Sequence, residues 1–111
     1  MEITELRQVK IPVSSFGDED RRLRLNEEAI LGLVGERRIQ FAPREWKMIS
    51  YLVKRKGTAV TFQELLEKVF FNPSASNNLV ISYAMRINRR LADANCPQRI
   101  ESVRSVGYRW M

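Results

Sequence analysis

The sequence predicts an α+β fold: an N-terminal antiparallel sheet, three helices and a C-terminal β-hairpin. Three observations carry this prediction. Apolar residues alternate in short runs up to about Phe41. From Pro43 to about Asp93 they recur at three- and four-residue steps, the helical period. Two short apolar runs then flank a turn near Gly107. The 111 residues suit one domain, divided as 1–41 for the sheet, 42–93 for the helical core and 99–111 for the hairpin.

The elements follow in order. Ile3 to Leu6 and Val9 to Val13 offer two short strands before a loop at Ser14 to Asp20. Leu23-Arg24-Leu25 alternates, Asn26-Glu27-Glu28 turns, and Ala29 to Val34 is apolar. Gly35-Glu36-Arg37 turns again before Arg38 to Phe41. Pro43 suits a first helical position, where its missing N–H is not needed. Trp46, Ile49, Leu52 and Val53 form the inward stripe of that helix, and Gly57 can stop it. Thr61 and Glu64 fit a capping box for a second helix running to Phe70. Pro73 and small polar residues mark Phe71 to Ser76 as a loop. A third helix spans about Asn77 to Asp93. Ile100 to Val103 and Tyr108 to Met111 then make a hairpin around Arg104 to Gly107.

Charge and composition narrow the function. The net charge is +6, from 19 Lys and Arg against 13 Asp and Glu. Residues 1–76 carry +2 of it, while residues 77–111 carry +4, with every cation an arginine. The planar guanidinium fork suits phosphates and guanine edges, so an anionic partner should meet the C-terminal third. There is no histidine, which removes the commonest general base and imidazole ligand. A lone cysteine, Cys96, can make neither an internal disulfide nor a cysteine zinc site. No catalysis, cofactor or metal is expected. The N-terminus lacks a signal-peptide pattern, and the longest apolar run, Ala29 to Gly35, falls far short of the ~20 residues of a membrane span. The expectation is a soluble, cytoplasmic protein.

The third helix has two faces. At about 100° per residue, Val80, Ala84, Ile87 and Leu91 fall within about 60° of arc. The opposite arc collects Asn78, Ser82, Met85, Arg86 and Arg89, with Tyr83 and Arg90 on its flanks. Such side chains can meet base edges in a major groove, with the flanking residues reaching phosphates. Arg104 at the hairpin tip can reach an adjacent minor groove.

From Leu23 onward the order of elements resembles the OmpR/PhoB-type winged-helix DNA-binding domain of bacterial response regulators. The resemblance rests on Phe41-Ala42-Pro43-Arg44-Glu45-Trp46 at the first helix and Thr61 to Phe70 at the second. It continues through Val80 to Leu91 at the recognition helix and Ile100 to Trp110 at the wing. It implies a winged helix-turn-helix fold, with DNA contacts at Asn78, Ser82, Tyr83, Met85 and Arg86, and at Ser102 and Arg104 of the wing. It also implies RNA polymerase contact through the loop Phe71 to Ser76, and a homodimer on DNA repeats. The departures are Ala42 for a capping Thr, Met85 and Asn88 for commonly basic residues, Ile81 for an acidic one, and Ser105 for a wing Gly. The family's phosphoacceptor domain would need roughly another 100 residues. The chain is therefore either the effector half of a two-component regulator or a stand-alone protein.

The expected function is sequence-specific binding of double-stranded promoter DNA by a bacterial transcription regulator. The alternative is a winged-helix interaction module whose basic face docks an acidic protein. RNA binding is disfavoured, because the sequence has no strand platform studded with aromatics.

Overall fold

In the computed structural model, which describes residues 21–111, β1 (Leu23–Asn26), β2 (Leu31–Val34) and β3 (Arg37–Ile39) pair in that order. Both pairings are antiparallel, with Leu23 opposite Val34 and Gly32 opposite Ile39. Val34 and Ile39 enter the core, while Arg37, on the same face at the end of the ladder, and Arg38, on the opposite face, are exposed. β2 begins later than the apolar run from Ala29 implied. The Asn26 side chain accepts the Ala29 N–H at 3.1 Å, and Ile30 takes a φ of 54°, so the turn consumes both residues. The expected strand at Arg38 to Phe41 is likewise shifted, starting at Arg37 and ending at Ile39. Phe41 still enters the core, from outside the strand. The strands expected at Ile3 to Leu6 and Val9 to Val13 lie outside the described residues.

Helix α1 (Pro43–Lys54) has proline in its first turn, as expected. Ala42 has no side-chain acceptor, but its N–H donates to the Glu45 carboxylate at 2.9 Å, so one half of a capping arrangement survives. The buried stripe is Glu45, Met48, Ile49 and Leu52. Trp46 and Val53 sit at its edge, half-buried against the core. The stripe is therefore rotated from the expected Trp46, Ile49, Leu52 and Val53, because Glu45 is buried against its Arg90 partner, a burial that apolar periodicity alone does not signal. Gly57, with a φ of 85°, then turns the chain, and its N–H donates to the Trp110 carbonyl at 2.7 Å.

The strand β4 (Val60–Thr61) was not anticipated, being too short to show a period. It leads into α2 (Phe62–Lys68), where Thr61 caps by accepting the Glu64 N–H at 3.0 Å. The reciprocal half of the expected box is absent. The Glu64 carboxylate instead accepts the Tyr51 hydroxyl and lies 3.7 Å from Arg55 Nε, so α1 has taken it. α2 stops at Lys68 rather than Phe70, and Phe71 adopts a φ of 53°. Helix α3 (Asn77–Asp93) spans the expected residues.

β5 (Ile100–Val103) and β6 (Gly107–Trp110) form the hairpin, and β4 joins its far edge to give the order β4-β6-β5. β6 starts one residue earlier than read, because Arg104 to Val106 suffice to turn the chain. The core gathers Ile49 and Leu52 from α1, Leu65 and Leu66 from α2, Val80 and Ile87 from α3, and Ile100 and Trp110 from the hairpin. All three helices and the hairpin therefore share one apolar centre.

Candidate nucleic-acid interface

Helix α3 begins at Ser76, whose Oγ accepts the Asn78 N–H at 3.1 Å. Its buried residues are Val80, Ala84, Ile87 and Leu91, the stripe that periodicity selects. On the opposite side Asn78, Met85, Arg86 and Arg89 are exposed, while Ser82 is half-buried with its hydroxyl on the Leu79 carbonyl at 3.0 Å. A groove of about 530 Å³ runs beside this face, lined in part by Ser82, Met85, Arg86 and Arg89.

Three long-range ties set the rotation and axial position of α3. The Tyr83 ring packs on Phe70, just after α2, at 5.0 Å between centroids. Asn88 makes paired bonds to the Ile100 backbone, donating to its carbonyl at 3.0 Å and accepting its N–H at 2.8 Å. Arg90 Nε donates to Glu45 Oε1 at 2.6 Å, and its fork reaches Oε2 at 3.4 Å. Glu45 is 2% exposed, so this pair neutralises the one buried carboxylate among the described residues. A helix face held at several points would lose little entropy on meeting a partner.

These ties separate roles that the sequence could not. Tyr83 is half-buried, with the Arg86 guanidinium 4.7 Å above its ring, an arrangement that aims the Arg86 side chain. Arg90 is committed to Glu45 while keeping 44% side-chain exposure. Arg109 pairs with Glu101 at 3.2 Å within the wing sheet. The C-terminal arginine excess is thus only partly available at the surface of α3, through Arg86 and Arg89. Asn88, which stands where the resembled family is commonly basic, fastens the helix to the wing.

In the hairpin, Ser102 and Arg104 are exposed. Ser105 takes a φ of 64°, the left-handed region in which the resembled family's glycine is at ease. The Val106 N–H donates to the Val103 carbonyl at 2.9 Å, and the Val106 carbonyl accepts the Phe62 N–H at 3.1 Å. Tyr108 meets Phe62 edge to face at 5.7 Å. The tip that carries Arg104 is therefore braced against the start of α2.

Sequence reasoning missed two cations beside α3. Arg37 donates to the Asp93 carbonyl at 2.9 Å, and with Arg38 it lines a depression that also includes Arg90 and Asp93. Nothing local to Arg37 signals this, since the contact spans 56 residues. Burial pushes up the Tyr51, Cys96 and Tyr108 pKa values, with the Glu64 hydrogen bond adding to the effect on Tyr51. All three groups are therefore neutral at ordinary pH. Among the described residues no cluster of three or more acidic or cysteine side chains is placed to hold a metal, and no helix is long and apolar enough to cross a membrane.

The family described as "Transcriptional regulatory protein, C terminal" matches residues 35–110. The chain belongs to this family. It is an OmpR/PhoB-type winged-helix effector domain, a DNA-binding transcription-regulator domain and not a member of an enzyme family. It is 29% identical over 87 residues to the uncharacterized transcriptional regulatory protein YkoG of Bacillus subtilis (strain 168), covering 78% of this chain and 38% of that protein. The chain thus spans well under half of this relative. The response regulator DrrB of Thermotoga maritima, an OmpR/PhoB homolog, matches with a TM-score of 0.71 and 27% identity over 86% of this chain and 42% of its own. The DNA-binding domain of the response regulator AdeR, solved in complex with an intercistronic region, matches with a TM-score of 0.72. Its 20% identity, over 80% of this chain and 92% of its own, supports the fold alone.

Proposed function

We propose that this effector domain binds double-stranded promoter DNA sequence-specifically, as one unit, with α3 in the major groove and the hairpin wing in the minor groove. The observation that carries the proposal is the arc of exposed Asn78, Met85, Arg86 and Arg89 with half-buried Ser82, on a helix tied to α1, to Phe70 just after α2 and to the wing. A major groove about 12 Å wide admits one such helix, and each residue type on the arc has a base-edge or methyl partner there. Tyr83 and Ser102 complete the set, and Arg90 adds a phosphate contact from the part of its fork that Glu45 leaves exposed. In the cell this would be bacterial transcription regulation in the cytoplasm, by homodimers on DNA repeats.

Titration against random duplex at two salt concentrations tests the binding mode. A steep fall in affinity with salt is expected, because each phosphate contact displaces a counterion. Flat or absent binding would point to the acidic protein partner instead. Selection from a random duplex pool then yields the target and the half-site spacing together.

Two substitutions probe the two grooves. Arg86→Ala is expected to weaken the selected site by about 1–3 kcal/mol and to relax one position, guanine being the expected base. Equal weakening on selected and random duplex would leave Arg86 as a phosphate contact only. Arg104→Ala should leave the melting temperature nearly unchanged and cost about 1–3 kcal/mol of affinity, most on A·T-rich flanks where the minor groove is narrow. Arg104→Lys should restore part of it, since lysine is more strongly hydrated. Unchanged affinity of the alanine variant on both A·T and G·C flanks would remove the wing from the minor groove.

The loop Phe71 to Ser76 is proposed to contact RNA polymerase. Phe71 supports this, being 70% exposed at a φ of 53°, with Lys47 Nζ 4.6 Å from its ring centre. Phe71→Ala should lower retention of polymerase on promoter DNA carrying the regulator while duplex affinity stays the same. Retention equal to wild type would make the loop a connector.

A further inference from the structure

We infer that Met85 reads the 5-methyl group of a thymine, an inference that rests on the duplex-reading role proposed for α3. Met85 is 67% exposed, and among the described residues it is the large apolar side chain that α3 leaves exposed. It lies about one turn beyond Ser82 and about one turn before Arg89, and it lines the same groove as Arg86. Its neighbours on this arc are hydroxyl and guanidinium groups, which match hydrogen-bonding edges of bases. Met85 matches none of those edges. The major-groove floor carries one apolar feature, the thymine methyl, and only an apolar side chain gains by covering it.

The position suits the chemistry. Tyr83, Asn88 and Arg90 hold the backbone of α3 in place, so the Met85 Cα is fixed. Its unbranched thioether chain can still adjust to the depth of the methyl, because methionine has three rotatable bonds and a soft sulfur. Adjacent Cα atoms are about 3.8 Å apart and stacked base pairs about 3.4 Å apart. The thymine read by Met85 should therefore fall within about two base pairs of the base whose preference Arg86→Ala relaxes.

The test starts from the site selected out of a random duplex pool by the whole chain. Each thymine of a half-site is replaced in turn by deoxyuridine, which keeps the hydrogen-bonding edge and lacks the methyl. One position is expected to lose about threefold to fivefold in affinity, the effect of burying one methyl-sized group. Met85→Leu should keep that sensitivity, whereas Met85→Gln should bind the thymine and deoxyuridine duplexes equally. Both variants should melt with the wild-type protein, because the side chain is solvated. If no replacement changes wild-type affinity, or if Met85→Gln keeps the same sensitivity at the same position, the inference is overturned while sequence-specific binding stands. A pool that yields no selected sequence would overturn the sequence-reading role itself, and this inference with it.

Discussion

Gly107→Ala is expected to destabilise the fold by about 3–5 kcal/mol, above the ~1–3 kcal/mol typical of overpacking. Gly107 opens β6 and stands opposite Thr61 of β4. A Cβ at this position would lie 2.0 Å from the Val60 carbonyl oxygen and 2.9 Å from the Thr61 Cα. Both obstacles are backbone, so no rotamer change relieves the clash. The strands must separate instead, which breaks the pairing that braces the wing against α2. Urea denaturation should show the loss of stability, and duplex affinity should fall even where the variant remains folded, because Arg104 is no longer held. A variant with wild-type stability would mean that the β4–β6 approach is looser than these distances require.

How much of this was legible in the sequence depended on the range of the interaction. The exposed face of α3 was legible because a 17-residue amphipathic helix burying Val80, Ala84, Ile87 and Leu91 leaves the opposite side to solvent. The Thr61 cap was legible because capping acts over three residues. The other half of that box was not, since Tyr51 and Arg55 compete for Glu64 from a different helix. β4 escaped because two residues have no period, and its partner Tyr108 lies far along the chain. Asn88 looked like a missing cation until its amide was found on Ile100. Residue type thus indicated which side chains carry charge on α3 and the wing, whereas tertiary contacts divide the arginines between those paired within the protein and those left at its surface. The start of β2 failed for a different reason. Branched residues seldom adopt positive φ, and Ile30 does so here.

Arg90 decides how far that division goes, and Arg90→Ala is expected to cost about 2–4 kcal/mol of stability. Breaking a fully buried ion pair costs about 3–5 kcal/mol, because the surviving charge is left without a partner in a poorly solvating site. Glu45 meets that condition, at 2% exposure inside the α1 stripe. Arg90 does not meet it fully, since 44% of its side chain reaches solvent, and water can follow to soften the loss. Glu45 also accepts the Ala42 N–H, so a carboxylate displaced toward water would release the first turn of α1 as well. Replacing both partners, as Glu45→Leu with Arg90→Met, removes the stranded charge and should recover much of the loss measured in the single variant. Equilibrium urea melts of the three variants test this, and an Arg90→Ala protein as stable as wild type would show that the pair contributes nothing. The phosphate role proposed for Arg90 is read separately, from the salt dependence of binding to random duplex. If the exposed part of its fork meets a phosphate, the slope of log affinity against log salt should fall by about one in the double variant. An unchanged slope would confine Arg90 to holding α3 against α1, and would leave Arg86, Arg89 and Arg104 to meet the DNA.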